Sequence, residues 1–264
     1  PDLSNTTGDA LAALQHRLRQ IEGIPATGDH PPVSTGCPRL DALLPASGLQ
    51  RGTLLECFPA AQSSGGTAPG MLAMLLAKAA AAKGGAVVVV DRERTFYPPA
   101  AVALGIPWEQ LLVVRPRNAQ EELWAVDQTL RSTGVAAVWA PLVKIGAHDF
   151  RRLQLAAESS AVVGLLVRDS PWRKEPSWAH VQIAVAPVAS GERQLPESGR
   201  HLQVTILRIR GAKLNATTQH AVVQIDEVTG QFCSSTLSST STYVPHPVHP
   251  FSVVARAAAD RGTA

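Results

Sequence analysis

Residues 59–91 read "PAAQSSGGTAPGMLAMLLAKAAAAKGGAVVVVD", and the reading of this stretch decides the fold. Its second half is plain. Residues 71–82 are Ala, Leu, Met and Lys, strong helix formers, and Gly84 and Gly85 stop the helix. "AVVVV" (86–90) is apolar on both faces, which predicts an internal strand of a parallel sheet covered by helices. The first half is harder. Gln62-Ser63-Ser64-Gly65-Gly66-Thr67 has the rhythm of a phosphate-binding loop between a strand and a helix. Such a loop aims backbone N–H groups at phosphates, a Lys reaches the outer phosphate oxygens, and a Ser or Thr hydroxyl ligates Mg²⁺. Against the pattern G-x-x-x-x-G-K-[ST], residues 60–67 supply Gly65 and Thr67 but put Ala60 at the first Gly and Gly66 at the Lys. Pro69 suits the first turn of the helix that follows. On its own the motif reads as an ordinary glycine-rich turn.

The neighbouring segments supply context. Leu11, Leu14, Leu18 and Ile21 recur at helical spacing and Gly23 stops them, so residues 1–32 read as a short amphipathic helix and a Pro/Gly-rich linker. A core follows over 33–232. It opens with a turn, a short helix around 40–44 and a strand over 53–58. Beyond "AVVVV" come a helix over 98–104, the strand "LLVVRP", a helix over 119–133 and the strand "GVAAVWAPL". The helix "DFRRLQLAAESS" and the strand "AVVGLLVRD" complete the series. This repeated strand–helix alternation predicts an α/β fold, a mostly parallel sheet flanked by helices. From residue 171 the texture changes to three alternating strand-like segments, "PWRKEPSWAHVQIAV", "RHLQVTILRIRG" and "QHAVVQIDEVTGQF". These predict antiparallel strands closing one edge at the C-terminal side. Residues 233–264, rich in Ser/Thr and then Pro/His, read as a flexible tail.

Composition narrows the function classes. The chain has 264 residues, 45% hydrophobic and 17% charged, enough apolar content for one large core. A net charge of +3 tolerates an anionic partner without demanding nucleic acid, because no dense Lys/Arg run occurs. Cys37, Cys57 and Cys233 are odd in number and far apart, which excludes a disulfide framework and a Cys-x-x-Cys metal pair. Structural thiols in a reducing cytoplasm are expected, and no signal-peptide pattern or membrane-spanning run is visible. His246 and His249, three apart in a Pro-rich coil, make a poor metal site, so no metal site is expected.

Taken in order, these motifs resemble the RecA-type recombinase core. "STGCPRLDALLPASGLQRGTLLECFPAAQSSGGT" is similar to its opening, a Ser-Thr-Gly turn, a Leu-Asp helix and a Glu-bearing strand before the phosphate loop. "VVVVDRERTFYPPAAVALGIPWEQLLVVRPRNAQEELWAVDQTLRSTGVAAVW" resembles the next two strand–helix units, and "VTILRIRGA" a late core strand. Within that group the short chain, the degenerate loop and "DFRRLQLAAESS" look most like ImuA, the RecA-like accessory proteins of bacterial translesion mutasomes, sometimes grouped with SulA cell-division inhibitors. The resemblance maps Glu93 onto the glutamate that activates the attacking water and Thr67 onto the Mg²⁺-binding hydroxyl. It puts Gly66 at the lysine, and Trp139, Ala140 and Pro141 where a second metal-site carboxylate belongs. Phosphoryl transfer is almost entirely positioning and electrostatics, so losing two of three charges implies little or no hydrolysis. Glu93 then reads as a vestigial polar residue, and no cofactor is expected, ATP with Mg²⁺ being the one candidate the loop raises.

The resemblance therefore implies an accessory protein of the DNA damage (SOS) response and error-prone translesion synthesis, acting by protein contacts. The partners it implies are a Y-family-like polymerase subunit and an error-prone replicative-type polymerase, with RecA and DNA as further candidates and no membrane. Candidate contact residues are Arg151, Arg152, Arg168, Arg173, Lys174 and Arg210, with Trp172 and Trp178 as anchors if exposed and as core if packed. Two alternatives stand beside this reading. One is a DNA-dependent ATPase that takes its cation from Lys83 or a neighbouring subunit; the other is a division-inhibitor-like regulator.

Overall fold

The computed structural model describes residues 30–60, 67–142, 144–188, 199–212, 220–226 and 229–233. The expected N-terminal helix, the tail beyond Cys233, and Gln62 to Gly66 of the glycine loop lie outside the described residues. Within them is one eight-stranded sheet with helices on both faces. Helix α1 (Pro38–Leu43) begins on a proline, and the Asp41 carboxylate accepts from the Thr35 N–H at 2.8 Å and the Ser34 hydroxyl at 2.7 Å, fixing the turn before it. Strand β1 (Leu54–Pro59) is buried at all six positions, because β5 and β6 flank it and helices cover both faces.

Helix α2 (Ala68–Ala81) carries Pro69 in its first turn, as the sequence indicates. Its many alanines let it lie close across the sheet. Gly84 and Gly85, both in the left-handed region with φ of 105° and 95°, turn the chain into β2 (Ala86–Val90). There follow α3 (Pro98–Ala103), β3 (Leu111–Val114), α4 (Ala119–Leu130), β4 (Val135–Pro141), α5 (Ala147–Ser160) and β5 (Val163–Val167). The Asn118 side chain caps α4 by accepting from the Glu121 N–H at 2.9 Å.

The strand order is β3-β2-β4-β5-β1-β6-β7-β8, with β6 (Val181–Val188), β7 (Arg200–Ile209) and β8 (His220–Ile225). Parallel pairing runs from β3 through β1 to β6, where Leu55 sits opposite Val181. Strand β7 then pairs antiparallel with both β6 and β8. The C-terminal strands thus do carry the antiparallel edge, with a refinement: β6 itself extends the parallel sheet and is the joint between the two halves. Alternate residues of the central strands feed two cores. Leu55, Val87, Val89, Ala137 and Leu165 join α2, while Leu54, Val88, Val138 and Leu166 join α4 and α5.

His201 on β7 is 3% exposed, and neither ring nitrogen has a hydrogen-bond partner among the described residues. Burial disfavours its charged form and pushes its pKa below the ordinary 6.5. Between the lowered value and 6.5 the unfolded chain binds more protons than the folded one, so stability rises with pH across that window. Acidification below about 6.5 is expected to lower Tm, and His201→Leu to flatten that part of a Tm-against-pH series. An unchanged slope would place the titration elsewhere.

Candidate functional site

In a parallel sheet, ligands gather at the carboxyl ends of the strands, so the ends of β1, β2, β4 and β5 are where chemistry is sought. Past β1, the chain re-enters the described residues at Thr67, which is exposed and whose carbonyl accepts from the Met71 N–H at 2.9 Å in the first turn of α2. The Thr67 side chain makes no capping hydrogen bond to that helix.

At the end of β2, Asp91 is fully buried, and its carboxylate accepts from the Thr95 N–H at 3.2 Å and the Phe96 N–H at 3.0 Å. This carboxylate shapes the following turn, in which Arg94 takes a left-handed φ of 57°. Glu93 lies on the outside of that turn. Its side chain is 57% exposed and paired with Arg92 at 2.6 Å, while the Arg92 Nε donates to Glu122 at 3.0 Å. Burial pushes the Glu122 carboxyl above its ordinary value, and the Arg92 hydrogen bond opposes that shift. An exposed pair of this kind contributes little to stability.

The end of β4 supplies no carboxylate. Trp139 is 8% exposed, its indole N–H donates to the Gly70 carbonyl in α2 at 3.1 Å, and its ring lies 5.5 Å from that of Phe96. Mg²⁺ requires octahedral oxygen ligands and keeps several waters, and a strand ending Trp-Ala-Pro cannot hold that shell. The end of β4 therefore does not fit a nucleotide-bound Mg²⁺, and among the described residues no group of three His, Cys, Asp or Glu could hold a metal ion. Lys83 does not substitute for the missing lysine. It lies beyond the C-terminal end of α2, a helix of 14 residues and hence roughly 20 Å long, whose other end follows the loop.

The basic and aromatic candidates are brought together around residues 168–180, but largely for internal purposes. Arg168 corrects its reading as a contact residue: it is 2% exposed and its guanidinium is bonded to the fully buried Glu56. Glu56 also accepts from the Ser177 hydroxyl at 2.6 Å and the Gln182 amide at 2.7 Å. The Trp178 indole is half-buried between the guanidinium groups of Arg151 and Arg210, each 4.5 Å from the ring centroid. Arg208 donates to the Ser177 and Ala179 carbonyls at 2.9 and 3.2 Å. Arg152 on α5 faces Asp127 at 3.5 Å and Asp149 at 3.6 Å. Trp172 and Arg173, half-buried, and the exposed Lys174 share the short 3-10 helix Ser170–Lys174. Most of these cations brace the segment between β5 and β6 and do not form an open basic face. Sequence reading missed the Glu56 cluster and the role of Asp91; the available signal was a lone Glu inside the apolar "LLECF".

Residues 25–144 match the RecA N-terminal domain family. The matched stretch is somewhat under half of the chain, and the strand order agrees with it. The fold is RecA-like. A crystal structure of the RadB recombinase is similar in fold, with a TM-score of 0.54 at 16% identity over 75% of this chain and 97% of that one. ImuA of Caulobacter vibrioides is 33% identical over 144 residues, 54% of this chain and 59% of that protein. RecA of Synechocystis is 35% identical over 143 residues, 50% of this chain and 39% of that protein. The chain thus spans about three fifths of the length of the ImuA relative. In this fold Glu93 faces solvent beside Arg92, and the Trp139 indole stands near the end of β4.

Proposed function

We propose that this RecA-like chain is an accessory protein of DNA damage-induced, error-prone translesion synthesis, which works through protein contacts and has no strong ATPase activity. The observation that carries the non-enzymatic half is the end of β4, where Trp139 packs on α2 at the position that a metal-holding carboxylate would need. Similarity to ImuA supports the mutasome half. The partners proposed are a Y-family-like polymerase subunit and an error-prone replicative-type polymerase, with RecA as a further one. ATP and Mg²⁺ are not needed in this reading, which takes the sequence Gln62 to Thr67 as a degenerate phosphate-loop motif. DNA is a secondary partner at most. The candidates for it are Arg173 and Lys174, the two cations of the 168–180 segment for which no internal bracing bond is described.

Affinity capture of the tagged chain from DNA-damaged cells is expected to recover a polymerase subunit, and ATP turnover of the purified protein to stay at the no-enzyme background with or without Glu93→Gln. Ordinary ATPase rates that Glu93→Gln abolishes would establish the DNA-dependent ATPase. Capture of a cytoskeletal GTPase in place of a polymerase would establish the division-inhibitor reading.

A further inference from the structure

Trp139 touches more than its own strand. Its indole N–H donates to the Gly70 carbonyl at 3.1 Å, in the first turn of α2. Its Cζ2 lies 3.4 Å from the point where a Cβ on Gly70 would stand, so the helix meets the ring at van der Waals contact where a glycine leaves its backbone bare. On the other side Phe96 packs against it, rings 5.5 Å apart and tilted by 45°, within the favoured range for aromatic pairs. Phe96 in turn is held by its N–H bond to buried Asp91 at 3.0 Å. One side chain thus joins three elements: the end of β4, the start of α2 and the turn after β2.

In a working phosphate-loop enzyme two of these elements, the start of the helix and the end of the metal-holding strand, are joined by the ligand. The metal ion bridges the phosphates, the loop hydroxyl that starts the helix and a carboxylate on another strand of the sheet. Such a join exists only while nucleotide is bound, which is how nucleotide controls shape.

We infer that Trp139 is a built-in tie that replaces the metal–phosphate join and holds β4, α2 and the β2 turn in one arrangement independent of nucleotide. The inference rests on the reading of the loop between β1 and α2 as an inactive nucleotide position. The indole bond is part-buried, and breaking it leaves the N–H of a largely buried ring without its acceptor, at a cost. Its consequence is a RecA-like core that presents one surface at all times, suited to a partner that docks and stays and not to a cycle of binding and release.

Backbone hydrogen exchange on the full chain tests this, read in residues 71–74 and 95–96, whose N–H groups are bonded. Three proteins are compared, wild type, Trp139→Phe and Trp139→Ala, each with and without a millimolar non-hydrolysable Mg–ATP analogue. In wild type, protection of both segments is expected to be the same with and without the analogue. Trp139→Phe keeps a ring and loses the N–H, and about tenfold faster exchange is expected in both segments together, the worth of one buried hydrogen bond. Trp139→Ala is expected to accelerate both further. Protection that rises with the analogue in wild type, or a Phe variant that loosens one segment and not the other, overturns the tie. If the Ala variant does not fold, the wild-type and Phe measurements still decide. Because these readouts use the isolated protein, they fail or succeed apart from the capture experiment that tests the mutasome role.

Discussion

Arg168→Ala is expected to lower the stability of the folded core by about 3–5 kcal/mol, because it strands the Glu56 carboxylate in the interior. Arg168 is 2% exposed and Glu56 fully buried, so neither charge can turn to water. Ser177 and Gln182 would still donate to Glu56, yet two neutral hydrogen bonds do not offset a buried charge. For a domain of this size the loss corresponds to a drop in Tm of roughly 10 °C or more. Thermal unfolding followed by circular dichroism reads it directly. The double variant Glu56→Leu with Arg168→Met is expected to recover much of the loss, since replacing both members of a buried pair is often near neutral. A single variant within about 1 kcal/mol of wild type would show that the remaining Ser177 and Gln182 bonds suffice to hold Glu56 in the interior.

The second large effect is expected from Phe150→Ala, at about 3–5 kcal/mol. Phe150 on α5 is fully buried among Leu153, Val162 and Leu166 in the core beneath α4 and α5. Truncation removes its apolar contacts and leaves a cavity that the surrounding strands cannot collapse to fill. The Arg168 guanidinium stands 5.8 Å from the centre of the same ring, so the two sites share a neighbourhood. Their costs are therefore expected not to add, and urea titration of both single variants and the double gives the coupling. A cost below about 1.5 kcal/mol for Phe150→Ala would show that the site repacks freely.

Local chemistry was legible in the sequence where it is local in space. Pro69 announced the start of α2, the run at Ala86 to Val90 announced a strand buried on both faces, and the missing carboxylate after Val138 was visible as letters. The direction of β6 was not, because it depends on pairing with β1, whose residues lie more than a hundred positions away. The same distance hid the Glu56–Arg168 bond, which spans 112 positions. Charge alone assigns an arginine to the surface by default, and Arg168 is the exception that its partner explains. Glu93 was legible as an acidic residue just after β2, but its exposure depends on a turn that Asp91 fixes by accepting from two backbone N–H groups further on. Trp178 could be read as anchor or core, and its sandwich between Arg151 and Arg210 needed elements from three parts of the chain.

The central place of β1 has a cost during synthesis. Its apolar segment leaves the ribosome before either of its two neighbours, β5, whose Gly164 pairs with Leu54, and β6, whose Val181 pairs with Leu55. About 110 further residues must be made before the first of them exists, and at 5–20 residues per second that is roughly 5–20 s. For that interval a strand buried at every position in the finished protein has neither neighbour beside it. The nascent chain thus carries an adhesive segment that needs shielding, and slow translation or scarce chaperones would reduce the yield of this protein before any property of the finished fold comes into play.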